Sequence, residues 1–355
     1  MPAPIATVVI GGTLAIDHVK TPDAEASGLL GGSAAYAALA ASFFCRPIEL
    51  IGIIGRDFPK EHLDLLERHG ISLAGVERSE NESFTWSGEY HANMNERTTH
   101  RVGLNVLENW QVKVPLPAAA SSIVVLANMS PDNQLEMLSQ CGIAASSDLK
   151  FQISNPQSPS SSDPQSPAPR FIIADTMDLW IGIANERLHQ VLPHLDLFVL
   201  NDGEARELSG TSNLVQAGRI LLGKGPRHVV IKLGEFGAML FSAPSLSSSP
   251  QSSISNPQSS IPHGLFRCSA WPLETVADPT GAGDTFLGAL AGYLAAQGPP
   301  PYSAHALRQA VIQGSILASF TCEAFSTRRL ESLKPAELQQ RLQQFRQITE
   351  SGTGD

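Results

Sequence analysis

Short runs of β-branched and aliphatic residues recur along the chain: Ile5 to Ile10, Ile48 to Ile54, Ser122 to Ala127, Phe171 to Ala174, Leu195 to Leu200 and Arg227 to Ile231. Each is too short for a helix. The apolar positions do not alternate with polar ones, so strands built from these runs must be covered on both faces, as in a parallel sheet. Between them lie segments of helical spacing, such as Glu61 to His69 with its Leu63, Leu65 and Leu66 stripe, and Pro131 to Cys141. The alternation predicts an α/β fold, an open, doubly wound and mostly parallel sheet with helices on both faces.

Two features interrupt that rhythm. Phe84 to Leu107 reads as two strands around a turn at Asn93 to Glu96. Strand periodicity sets Thr99, Arg101, Gly103 and Asn105 on one face and Val102, Leu104 and Val106 on the other. Such a hairpin cannot enter the interior of a parallel sheet, so it is expected to be a flap over a site or a plain surface hairpin. The other interruption is compositional. Residues 153–169 and 244–262 are rich in Ser and Pro and share the hexapeptide I-S-N-P-Q-S. They offer little to bury and are expected to be disordered loop inserts in one domain spanning residues 1–350.

Charge narrows the ligands. There are 24 Lys and Arg against 34 Asp and Glu, a net charge of −10, with no basic run. Nucleic acid and anionic membrane are poor partners for such a chain, and any anionic ligand must be held locally by amides, a metal ion or a few placed cations. Cys45, Cys141, Cys268 and Cys322 form no C-x-x-C pair, and no apolar stretch approaches a membrane span. The expectation is a soluble, cytoplasmic protein with reduced thiols.

The chemistry concentrates in Asp278-Pro279-Thr280-Gly281-Ala282-Gly283-Asp284-Thr285-Phe286. Phe286, Leu287, Leu290 and Leu294 follow at helical spacing, so the glycines stand at a helix N-terminus, where converging N–H groups and the helix dipole favour an anion. Asp284 would repel a resting phosphate, which suggests a second task, taking the proton of an attacking hydroxyl. A Gly-rich turn with an Asp cap is the plain alternative. Upstream, Asn201-Asp202-Gly203-Glu204 follows a strand and suits a hydrated Mg²⁺ beside phosphates, or simply caps a helix. Lys232-Leu233-Gly234-Glu235-Phe236-Gly237 follows the next strand. Near the N-terminus, Asp17 precedes Gly31-Gly32-Ser33, which opens a small-residue helix. No G-x-G-x-x-G follows the first strand, so a nicotinamide dehydrogenase is not indicated.

D-P-T-G-A-G-D-T-F resembles the C-terminal signature of the ribokinase-like (PfkB) carbohydrate kinases, and the order of the other motifs resembles that family over about residues 5 to 330. The resemblance implies ATP-dependent phosphorylation of a hydroxymethyl group under a small β lid built from about 13–22 and 84–107. It implies Asp284 as general base and Gly281, Ala282 and Gly283 as the anion hole. Asn201 and Glu204 would hold Mg²⁺ through water, and Lys232, Gly234, Gly237 and Thr280 would meet ATP. Asp17, Gly31, Gly32, Ser33, Tyr36 and Asn105 would bind the acceptor, and Asp278 a monovalent cation such as K⁺. Pairing of lids implies a homodimer. Tyr36 departs from the pattern, since relatives handling ribose-like sugars often carry Asn there. The acceptor is therefore a sugar or sugar derivative, or a nucleoside whose base stacks on Tyr36, Trp86 or Tyr90; a non-catalytic ligand-binding relative is a third reading.

Overall fold

The computed structural model describes residues 7–143, 170–243 and 264–349, so both Ser/Pro stretches lie outside the described residues. Nine strands make the main sheet: β1 (Val8–Gly11), β4 (Ile48–Ile54), β5 (Ile71–Arg78), β8 (Ile123–Leu126), β9 (Phe171–Asp175), β10 (Leu197–Asn201), β11 (His228–Lys232), β12 (Ala238–Ser242) and β13 (Leu265–Cys268). Their order is β13-β12-β11-β10-β9-β8-β1-β4-β5. Every pairing from β5 to β11 is parallel, while β12 runs antiparallel to both neighbours. Double burial explains the unbroken apolar runs. Val8 and Ile10 point into one core and Val9 into the other, and Leu197 and Val199 likewise oppose Phe198 and Leu200. The fold is the expected α/β sheet.

A second sheet has the order β3-β2-β6-β7, from β2 (Ala15–Lys20), β3 (Glu25–Gly31), β6 (Phe84–Tyr90) and β7 (Arg97–Gly103). The sequence reading has no counterpart for β3, whose E-A-S-G opening carries no alternation. At the hairpin tip Asn93 Oδ1 accepts the N–H of Asn95 and Glu96, at 3.2 and 3.1 Å. Pairing steps from Ser87↔Arg101 to Gly88↔Thr99, which makes His100 an extra residue in β7. That bulge reverses the face beyond it. Arg97 and Thr99 face the cleft on one side of the bulge, Val102 and Leu104 on the other, and Arg101 does not line it. The expected single face of Thr99, Arg101, Gly103 and Asn105 is corrected accordingly.

Two helices carry the site. Ser33–Ala41 is buried along its whole length, and Ala282–Ala296 is buried over most of it. They touch backbone to backbone. A Cβ on Gly288 would lie 2.0 Å from the carbonyl oxygen of Ala37, and one on Gly292 would lie 2.7 Å from Cα of Ala41. Among the described residues no helix is long and apolar enough to cross a membrane.

The helix contact predicts that Gly288→Ala destabilises the protein by about 1–3 kcal/mol, the usual cost of overpacking. Gly182→Ala, in the helix Asp178–Ile183 with nothing within 4 Å of the added carbon, should be neutral or stabilising by up to about 1 kcal/mol. Urea unfolding of the two variants checks the contrast.

Candidate active site

Parallel strands leave their C-terminal ends on one edge of a sheet, and open α/β sheets bind ligands beyond that edge, where successive connections diverge. Here the chain leaves β1 towards β4 on one side and later returns to β8 on the other. Above this point lies a cleft of about 1940 Å³, closed on its far side by the inner face of the small sheet. Ala15, Asp17, Phe84 and Trp86 form that face. Thr13, Asn128, Asp175, Asn201 and Lys232 line the sheet side.

The loop from Asp278 to Gly281 enters the cleft and feeds the helix Ala282–Ala296. Gly281 takes φ 76°, a left-handed conformation, and a Cβ there would sit 2.3 Å from the Tyr36 ring. No side chain caps the helix; the Ala282 N–H is spent on the Pro279 carbonyl at 3.2 Å, which leaves the N–H groups of Gly281 and Gly283 for the cleft. Asp278, fully buried, braces the loop from below: Oδ1 accepts the Thr280 N–H at 2.9 Å and Oδ2 the Ser326 N–H at 3.0 Å. Burial raises its pKa against those bonds. Thr280 Oγ1 donates to the Tyr90 hydroxyl at 3.3 Å, which seats the lid on the loop.

Asp284 lies in the first turn of that helix and lines the cleft. Desolvation pushes its pKa up to about 6, while the charges of Lys232 and Arg97 pull it down. Lys232 stands against the loop, its Nζ 2.7 Å from where a Cβ on Gly283 would be. Both glycines therefore admit a neighbour that any side chain would displace.

The residues expected to bind the acceptor divide. Asp17 and Gly31 come together, since a Cβ on Gly31 would fall 2.1 Å from the Asp17 carboxyl. Burial, then Asp278 and Asp284, push the Asp17 pKa up to about 8. Gly32 has φ 92° and presses on the Thr13 carbonyl, so it is needed by the turn itself. Ser33 lines the cleft, but its hydroxyl donates to the Asn128 carbonyl at 3.0 Å and accepts the Thr13 N–H at 3.2 Å. Tyr36 is both core and site: only 1% exposed, it lines the cleft floor, and its hydroxyl has no hydrogen-bond partner. Gly31 does not line the cleft, and neither does Asn105. At φ 48° Asn105 ends the hairpin and donates to the Ser83 carbonyl at 2.8 Å. The bulge in β7 and this turn take it away from the acceptor side.

On the opposite side Asn201 and Glu204 form a capping box. Asn201 Oδ1 accepts the Glu204 N–H, and Glu204 Oε2 accepts the Asn201 N–H, both at 2.8 Å. The plain helix-cap reading is thus fulfilled, and one Glu204 oxygen remains for the cleft that the residue lines. Gly234 and Gly237 line it too, although Gly237 is fixed chiefly by its φ of 94° and by the Cys268 carbonyl, which a Cβ there would meet at 2.0 Å. Sequence reasoning assigned no role to Asp175 and Thr176 at the end of β9. Asp175 Oδ1 and Thr176 Oγ1 are buried without partners beside the cleft, and burial holds the Asp175 pKa well above the usual range. An Asp-Thr pair closing a buried parallel strand was the available signal. Among the described residues no three His, Cys, Asp or Glu side chains are grouped to cage a metal. Glu204 and the unpartnered Asp175 oxygen fit instead a Mg²⁺ ion held largely by water and phosphate, the usual arrangement for that ion.

Two measurements follow from this geometry. The Asp17 carboxyl holds its proton to about pH 8 when folded, against 3.8 ordinarily, so the folded state binds more protons and loses stability as pH rises from about 4 to about 8. Asp17→Asn removes that loss, so its melting temperature should gain on wild type across this window and level off above it. Tyr36→Phe deletes a buried hydroxyl that has no partner, and should stabilise the unliganded protein by about 1 kcal/mol in urea unfolding.

The family model described as "pfkB family carbohydrate kinase" matches residues 15–333. A cytidine kinase of Thermococcus kodakarensis is 25% identical over 291 residues, covering 81% of this chain and 88% of that protein. Among solved structures, a putative ribokinase II from E. coli in complex with ATP and Mg²⁺ superposes with a TM-score of 0.70 at 17% identity, covering 96% of this chain and 99% of that one. The Methanocaldococcus jannaschii nucleoside kinase gives 0.66 at 15% identity, with 96% and 99% covered. The loop, the cleft and the matched span agree: this chain belongs to the pfkB family of carbohydrate kinases and is an ATP-dependent kinase.

Proposed function

We propose that the enzyme transfers the γ-phosphoryl group of ATP to a hydroxymethyl group on a sugar or nucleoside: ATP + R–CH₂OH → ADP + R–CH₂OPO₃²⁻ + H⁺. The observation that carries this reading is the position of Asp284, in the first turn of a helix whose open N-terminus is flanked by Lys232. Asp284 takes the acceptor proton as the hydroxyl oxygen attacks phosphorus. The N–H groups of Gly281 and Gly283 and the Lys232 ammonium receive the charge that spreads over the transferring oxygens, while Ala282, expected to share that task, gives its N–H to the Pro279 carbonyl at 3.2 Å. Mg²⁺, when bound, neutralises the triphosphate in a cleft rich in carboxylates, and Glu204, Asn201 and Asp175 are the residues that would orient its waters. Asp17 holds the acceptor opposite Asp284, with Gly31 giving it room.

The acceptor class has two readings. A free sugar or sugar derivative satisfies Asp17 and the phosphoryl site alone. A nucleoside is supported by the aromatic inner face of the lid, Phe84 and Trp86, which offers flat apolar surface for a base. An ADP-release screen across sugars, sugar phosphates and nucleosides separates them.

Asp284→Asn should leave ATP binding within a few-fold of wild type while kcat falls by about 10²–10⁴-fold, the range for a positioned general base. With a pKa of about 6, the base is protonated in acid. In wild type kcat/KM should therefore rise with pH through about 6 and level off above 7, and the Asn variant should lose that limb. A flat wild-type profile would remove Asp284 from the base role.

A further inference from the structure

Two arms of the cleft meet at the anion loop. One runs under the lid to Asp17 and Trp86, the side given to the acceptor above. The other runs between the loop that follows β13 and the helix Ala304–Thr321, where Trp271, Leu273, Val276, Ala318, Ser319 and Cys322 line it. With the phosphates at the anion loop and the acceptor under the lid, the nucleoside of ATP falls to this second arm. Its hydroxyls are already engaged: Ser315 Oγ donates to the Ser269 carbonyl at 3.2 Å and Ser319 Oγ to the Ile316 carbonyl at 2.6 Å. A base entering here meets flat and apolar surface before it meets side-chain hydrogen-bond partners, and the Trp271 indole is the broadest part of that surface.

Trp271 lies in a loop outside any strand or helix, and what backs it comes from a distant part of the chain. The helix Pro335–Thr349 buries Leu338, Leu342 and Phe345 and carries Arg341 beneath the loop. The Arg341 guanidinium stands over two rings, 5.3 Å from the centroid of Trp271 and 3.4 Å from that of Phe320. Nη1 donates to Ser319 Oγ at 2.9 Å and Nη2 to Glu323 Oε1, which hold the group in place. The Arg341 side chain is only 15% exposed and does not line the cleft, whereas Trp271 does. The guanidinium therefore supports the indole from the side away from the ligand.

We infer that Arg341 is a positioning residue for the phosphoryl donor: it holds the Trp271 ring as the platform on which the base of ATP stacks, so the helix Pro335–Thr349 sets nucleotide affinity. The inference rests on the placement of the phosphates at the anion loop in the reading above. A guanidinium is drawn to an aromatic face by the ring quadrupole and lies flat on it, as an ammonium does not. An indole fixed in this way loses less side-chain freedom when a base settles on its open face. Stacking on the base is the same in the ground state and the transition state, so the device acts on binding and leaves the chemical step alone.

The test reads binding by calorimetry for ADP with Mg²⁺ and for tripolyphosphate with Mg²⁺, a ligand with phosphates and no base. Trp271→Leu should weaken ADP binding by about 10–100-fold, the range for an aromatic stacking platform. Arg341→Met keeps a side chain against Phe320 and leaves Glu323 to Arg329 at 2.9 Å; it should weaken ADP binding by about 3–30-fold. Arg341→Lys should recover only part of that loss. Tripolyphosphate should bind all variants as it binds wild type. The double variant should lose no more than Trp271→Leu alone, because Arg341 acts through the ring. In turnover the KM for ATP should rise by the same factor at a kcat within about twofold of wild type. Unchanged ADP affinity in Arg341→Met overturns the inference, and so do additive losses in the double variant. An equal loss for tripolyphosphate overturns it too, since the effect would then be one of charge or of folding. Wild type that binds neither ligand removes the phosphate placement and the inference with it, whereas wild type that binds both while Arg341→Met loses nothing overturns the inference alone.

Discussion

The close approach of two helices sets the geometry on which both sides of the cleft depend. Ser33–Ala41 and Ala282–Ala296 run side by side, Gly288 on Ala37 and Gly292 on Ala41, with no side chain between them. Their N-termini reach the cleft together, so Gly32 and Gly281 stand near one another although they are far apart in sequence. Tyr36 fills the gap beneath, its ring against Gly281. Moving the helices apart by one methyl group would shift the loop at Gly281 relative to Asp17 across the cleft.

Electrostatics explains why the unliganded cleft does not tear itself open. Asp17, Asp175, Glu204, Asp278 and Asp284 crowd one volume, and all are pushed towards their protonated forms, chiefly by burial. At neutral pH part of this charge is discharged by bound protons rather than by ion pairs. Such a cleft can adjust its own charge to what enters it, and Lys232 and Arg97 line it as positive side chains.

Much of this was legible in the sequence because the relevant signals are local. Burial on both faces forces continuous apolar runs, and so the parallel strands stand out. The Gly281–Asp284 turn, the Asn201–Glu204 cap and Lys232 sit at strand or helix ends, where residue type and position together carry meaning. What escaped depends on one-residue events. The extra His100 reverses the hairpin face beyond it, putting Val102 and Leu104 in the cleft in place of Arg101. Asn105 turns away at a positive φ that nothing in its neighbours announces. Tyr36, expected at the acceptor site, lines the cleft and belongs to the core as well. The unpartnered oxygens of Asp175 and Thr176 exist only in three dimensions.

The Asp278 brace has a consequence for how the enzyme comes into being on the ribosome. Its second oxygen is held by the Ser326 N–H, and the Ser326 hydroxyl donates in turn to the carbonyl of Leu30, 296 positions away in the chain. The lid strand β3, the anion loop and the segment around Ser326 are thus pinned at one knot. During translation the β1 to β11 region can emerge and pair while the phosphate-handling loop is still unmade. That knot can be tied only once Ser326 has left the exit tunnel. Until then the Asp17 side of the cleft stands without the loop that faces it.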